Sequence, residues 1–117
     1  MSSVGAASAF PSRDGELWCE GVAISELAAR YGTPLYVYSA AAMRERVRRV
    51  RRAFGARASI CFAVKSNPNL HLLSMLHAEG CGFDLVSGGE LERLRIAGLP
   101  ASDAVFAGVA KQGWEIT

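Results

Sequence analysis

Ile60-Cys61-Phe62-Ala63-Val64-Lys65-Ser66-Asn67-Pro68-Asn69 is a short apolar run that delivers one lysine to its end and then breaks into a turn. Residues 60–64 hold strand-forming Ile, Phe and Val and predict a strand buried on both faces, as in parallel sheets. A helix is expected next: Asn67 suits the N-cap, Pro68 suits the first helical position, and Leu70, Leu73 and Leu76 recur at near-helical spacing. Lys65 thus ends the strand of a βα unit. Most strand-end lysines are only solvated cations. Ala63 adds something here, because residues two apart on a strand face the same way and its small side chain leaves room for a flat ligand beneath the amine. A partly desolvated lysine loses its proton more readily and attacks a carbonyl.

The same unit repeats downstream. Gly80 is expected to stop the first helix, Gly82 to Val86 to form a second strand, and Ser87-Gly88-Gly89-Glu90 to open a second helix as a capping box. Leu91, Leu94 and Ala97 form that helix's buried stripe. Gly98 and Pro100 end it, Ala104 to Val109 reads as a third strand, and a further helix begins after Lys111.

Upstream, Ser39 is placed to cap, and Gly55 to end, an amphipathic helix with Met43, Val47, Val50 and Phe54 on its apolar side. Leu35-Tyr36-Val37-Tyr38 reads as a strand, and Ser25 as the N-cap of a helix carrying Leu27, Ala28 and Tyr31, with Gly32 as its stop. Glu16 to Val22 reads as one short strand. Met1 to Arg13, rich in Ser and Ala with neither a basic nor an apolar signal region, reads as a mobile tail.

Phe62-Ala63-Val64-Lys65-Ser66-Asn67 resembles the pyridoxal-phosphate lysine motif of the alanine racemase-like, fold type III decarboxylases. Three further stretches resemble the diaminopimelate decarboxylase branch in the same order: Tyr31 to Tyr38, Gly82 to Leu91, and Val105 to Lys111. The likeness runs from about Asp14 to Thr117. Ser66 is a departure, since alanine is commoner there. The resemblance implies a pyridoxal-phosphate-binding (β/α)8 TIM barrel, of which residues 23–117 form the opening portion, with residues 14–22 a strand of a separate β domain and residues 1–13 the tail. A whole barrel takes roughly 250 residues, so this chain of 117 residues is expected to be the amino-terminal part of a longer enzyme and inactive alone.

The resemblance further implies that Lys65 holds pyridoxal phosphate and is the catalytic lysine, with Ala63 and Asp84 beside the cofactor. The implied reaction is decarboxylation of meso-diaminopimelate to L-lysine and carbon dioxide by a cytoplasmic homodimer. Decarboxylases of ornithine, arginine or carboxynorspermidine share the lysine motif and remain alternatives. A non-catalytic relative that merely carries the cofactor is a third reading, against which the β-domain-like segment counts, because such carriers are single barrels.

Asp84 by itself suits a turn-forming strand end as well as a functional carboxylate; the resemblance favours the second. Glu90 is accounted for by the capping box. Gly88 and Gly89 could offer free amides to a phosphate, but the resemblance places the phosphate loops late in the barrel. Lys111 reads as an exposed strand-end lysine.

The formal net charge is +2 with mixed signs, and 50% of residues are hydrophobic, so neither a nucleic-acid nor a membrane partner is indicated. Arg44, Arg46, Arg48, Arg49, Arg51 and Arg52 cluster on one helix, without the aromatic or base-reading partners of a groove binder. Three cysteines, Cys19, Cys61 and Cys81, indicate neither a disulfide framework nor a zinc site and suit a reducing compartment. His71 and His77, six apart on one helix, point to different faces, so no metal is expected.

Overall fold

The computed structural model describes residues 8–109 and 112–115. They fall into two compact units, Met1–Met43 and Arg44–Thr117.

In the first unit, β1 (Ser12–Arg13), β2 (Glu16–Cys19) and β3 (Val22–Ala23) form an antiparallel three-stranded sheet. Two expectations change here. The end of the expected tail is strand β1, with Ser12 opposite Leu17 and Arg13 opposite Glu16. The expected single strand over 16–22 is broken at Glu20, whose φ of 56° turns the chain so that β3 folds back with Cys19 opposite Val22.

Helix α1 (Ile24–Tyr31) follows directly, and its N-cap is Ala23 rather than Ser25. The Ser25 hydroxyl donates instead to the Glu16 carboxylate. Gly32 stops the helix as expected, at φ 81° with its N–H on the Ala28 carbonyl. Leu35 to Tyr38 is not a strand. No described strand pairs with it, and a strand without a ladder partner has no hydrogen bonds to hold it; Tyr36 and Tyr38 are exposed.

Helix α2 (Ala40–Phe54) is capped by Ser39, whose hydroxyl oxygen accepts the Ala42 N–H at 3.1 Å. Glu20 adds a second cap from the β2–β3 turn, its Oε1 accepting the Ala41 N–H at 2.9 Å and the Ser39 hydroxyl at 3.0 Å. Gly55 ends α2 at φ 71°. The expected apolar stripe is not buried: no residue of α2 is, and Val50 and Phe54 are exposed.

The second unit holds β4 (Cys61–Ala63), α3 (Leu70–Ala78), β5 (Gly82–Leu85), α4 (Gly88–Ile96) and β6 (Ala104–Phe106). The strands lie in sequence order and are parallel, with Phe62 opposite Phe83 and Phe83 opposite Ala104. Each connection carries a helix, as parallel neighbours require. Gly80 and Gly98 end α3 and α4 in the same way, at φ 79° and 69°. After α3 the Cys81 N–H reaches back to the Leu76 carbonyl, and after α4 the Leu99 N–H reaches Leu94, at 3.0 and 2.9 Å. These bonds satisfy carbonyls that the helix ends would leave open.

The core is Val64, Leu73, Phe83, Leu85 and Leu94, with Phe62, Leu91, Leu99, Ala104 and Phe106 packed against it. Full burial of such side chains stabilises by roughly 1.5–3 kcal/mol each. Because paired residues share a face, Phe62, Phe83 and Ala104 present one side of the sheet to the core, while Ala63, Asp84 and Val105 lie on the other. That other side is only half covered, and Val105 is exposed.

At the end of α3 an arginine of α2 adds to the glycine cap. Arg51 donates to the carbonyls of Glu79 and Gly80 at 2.6 and 3.1 Å, while Arg48 grips the Glu79 carboxylate through Nε and Nη2 at 2.9 and 2.8 Å. Positive charge is favourable at a helix C-terminus. Beyond β6 the chain does not run on as strand to Val109, and the expected next helix shows a single 3-10 turn, Gly113–Glu115. Among the described residues no helix is long and apolar enough to cross a membrane.

Candidate functional site

Lys65 sits just past the carboxyl end of β4, in a 3-10 turn over Val64–Ser66. The strand stops at Ala63, two residues short of the lysine, so the alternation that would align Ala63 with Lys65 does not extend that far. Val64 explains the early stop: it is fully buried in the core, and the tight turn beginning there carries the chain away from the sheet. The turn closes through the Asn67 N–H on the Val64 carbonyl at 3.1 Å and the Ser66 hydroxyl on the Ala63 carbonyl at 2.7 Å.

Helix α3 starts two residues later than expected. Asn67 is extended, at φ −163° and ψ 105°, as a residue before proline prefers. Its side chain accepts the Asn69 N–H at 3.1 Å. Asn69 is the cap, accepting the His71 and Leu72 amides at 3.0 and 3.2 Å. Two asparagines in series therefore pin the segment that follows the lysine.

Asp84 lies in the middle of β5, flanked by buried Phe83 and Leu85 but itself only half-buried. Its backbone is in register with Ala63 on one side and Val105 on the other. Lys65 is exposed, and among the described residues neither its amine nor the Asp84 carboxylate is engaged in an ion pair or side-chain hydrogen bond. Asp84 is thus an acid within an otherwise apolar strand, and Lys65 lies in the turn that follows the neighbouring strand.

The α4 start differs from the expected capping box in one partner. Ser87 Oγ accepts the Glu90 N–H at 3.3 Å, but the Glu90 carboxylate accepts the Val86 N–H, at 2.8 Å, instead of the Ser87 N–H. Glu90 is thereby committed to the backbone just after β5. Beside it, Gly108 approaches so closely that a Cβ there would stand 2.5 Å from the Val86 carbonyl oxygen. Sequence reading missed both the Ser66 hydroxyl bond and this approach; only the small residue at Gly108 hinted at the second. Lys111 lies outside the described residues.

A cavity of about 590 Å³ opens at the opposite end of the sheet, against Cys61, Gly82 and Ala104, where the strands begin. His77 and Asp103 line it, with Nδ1 and Oδ2 3.7 Å apart, too long for a hydrogen bond. His77 stacks on Phe83 with centroids 6.3 Å apart, which gives it a packing role. Burial pushes the Cys81 thiol up, so its thiolate is disfavoured. No group of three or more His, Cys, Asp or Glu among the described residues could hold a metal ion.

Known proteins are similar to this chain in sequence and in fold. A diaminopimelate decarboxylase of Aquifex aeolicus is 51% identical over 105 residues, covering 90% of this chain and 25% of the relative. The crystal structure of diaminopimelate decarboxylase from M. jannaschii superposes with a TM-score of 0.77 at 32% identity, covering 92% of this chain and 26% of that one. A lysine/ornithine decarboxylase of Vibrio vulnificus, solved with putrescine, gives 0.72 at 27% identity, covering 80% and 25%. The chain thus spans about a quarter of the length of the relatives it matches. Residues 40–117 match the family described as pyridoxal-dependent decarboxylase, pyridoxal binding domain, and the chain belongs to that family.

Proposed function

We propose that the whole protein decarboxylates meso-diaminopimelate to L-lysine and carbon dioxide, and that Lys65 is the residue to which its pyridoxal phosphate is bound. The observation that carries this reading is the uncommitted Lys65 amine, held in a hydrogen-bonded turn at the carboxyl end of β4, beside a strand that bears Asp84. Parallel βα units keep their chemistry at that end of the strands. The residues present fit the cofactor: Lys65 is exposed and, among the described residues, unpaired, and Ala63 offers no bulk on the face it shares with Asp84. We read residues 23–117 as the opening portion of a (β/α)8 barrel and residues 14–22 as part of a separate β domain.

When bound, the cofactor supplies an electron sink for the pair left as the Cα–carboxylate bond breaks. The chain's own part is to hold that group and to shape the charge around it. Lys65 supplies the amine that anchors it. The Asp84 carboxylate favours positive charge in the space at the sheet's mouth. Identity favours the diaminopimelate branch, at 51% against 27% for the lysine/ornithine enzyme. The resemblance also supports a cytoplasmic homodimer.

Borohydride reduction of the whole protein with its cofactor, followed by peptide mass mapping, tests the anchor. The adduct is expected on Lys65; an adduct on Lys111 with Lys65 unmodified overturns the assignment. Carbon dioxide release is expected from meso-diaminopimelate in preference to ornithine, arginine or carboxynorspermidine, and the reverse preference overturns the substrate.

A further inference from the structure

The turn that carries Lys65 is closed by one side chain, and that side chain is the residue next to the lysine. The Ser66 hydroxyl donates to the Ala63 carbonyl at 2.7 Å, within a three-residue 3-10 segment whose backbone closure is the Asn67 N–H on Val64 at 3.1 Å. Ala63 is also the residue in register with Asp84. The hydroxyl therefore ties the backbone immediately after the lysine to the strand position that faces the aspartate. Short 3-10 segments have poor hydrogen-bond geometry and hold their shape weakly. A side chain that bonds three residues back adds a second constraint on the same turn.

We propose that Ser66 is a positioning residue for the Lys65 amine: its bond to Ala63 sets the direction in which the lysine side chain leaves the sheet. This rests on the reading of Lys65 as the cofactor lysine. An alanine at position 66 keeps the fold of the turn but lets its backbone move, which alters how the amine is presented and how its bond to the cofactor titrates. A purely structural serine, exposed as this one is, would affect neither.

The test uses the whole protein and its Ser66→Ala, Ser66→Thr and Lys65→Ala variants. Two quantities are read: deuterium exchange of the Asn67 amide in the cofactor-free protein, and the pH profile of the absorbance of the lysine-bound cofactor. Ser66→Ala is expected to speed Asn67 exchange by about 2- to 10-fold, the scale of one net hydrogen bond, and to displace the pH profile. Ser66→Thr, which keeps the hydroxyl, is expected to restore both. Wild-type exchange and a wild-type profile in Ser66→Ala overturn the proposal while leaving Lys65 as the anchor. Retention of a borohydride-reducible cofactor bond in Lys65→Ala overturns the underlying reading instead.

Discussion

Ala63 on β4 stands directly opposite Asp84 on β5, so a methyl group and a carboxylate share the uncovered face of the sheet one turn before the lysine. This pairing sets Asp84 next to the strand that leads into the Lys65 turn, although 19 positions separate Asp84 and Lys65 in sequence. Asp84→Asn is expected to lower kcat of the whole protein at least about tenfold, equivalent to one pKa unit of differential charge stabilisation, while cofactor retention changes little. Steady-state kinetics and cofactor content by absorbance check this. Unchanged turnover assigns Asp84 to the sheet alone.

The core is expected to respond far more than the opposite face. Leu94 is fully buried against Phe83 and Leu85, whereas Val105 is exposed. In the 117-residue chain Leu94→Ala should cost about 2–5 kcal/mol and Val105→Ala within about 0.5 kcal/mol. Urea unfolding of the two variants measures the difference. A Val105→Ala loss matching that of Leu94→Ala in the same chain would contradict the exposure of this face.

Gly108 is constrained by space. An added Cβ would meet the Val86 carbonyl oxygen at 2.5 Å and the Phe106 ring at 2.8 Å. Gly108→Ala is expected to destabilise by about 1–3 kcal/mol, the usual cost of overpacking, with faster amide exchange at Ala107, whose N–H bonds the Leu85 carbonyl at 2.8 Å. Wild-type stability would contradict the close approach.

The Arg48–Glu79 pair predicts an acid dependence. The Arg48 hydrogen bond holds the Glu79 carboxyl below its usual range, against the opposing effect of burial, with the Arg48, Arg44 and Arg51 charges adding to it. A carboxyl lowered in the folded state contributes stability that is complete above its unfolded pKa of about 4.3 and is lost as pH falls through the lower folded value. Thermal melts should therefore show wild type and Glu79→Gln converging below about pH 4, with wild type the more stable near neutrality. A difference between them independent of pH would remove the ion pair from the account.

Much of the second unit was legible because its signals are local. Gly55, Gly80 and Gly98 mark helix ends through bonds to residues no more than five positions away, so their chemistry can be read within a window of that size. The alternation of strand and helix, and the lysine at a strand end, follow from the same short-range patterns of apolar spacing. What the tertiary structure decided involves partners from elsewhere in the chain. Burial of Val64 against Leu73 and Phe83 ended β4 early and put Lys65 in a 3-10 turn. Leu35 to Tyr38, strand-like in composition, found no described strand to pair with. The opposition of Ala63 and Asp84 is a matter of register. A shift by one residue would exchange the faces of Asp84 and Phe83, and burial of Phe83 and Leu85 against the helices is what forbids it.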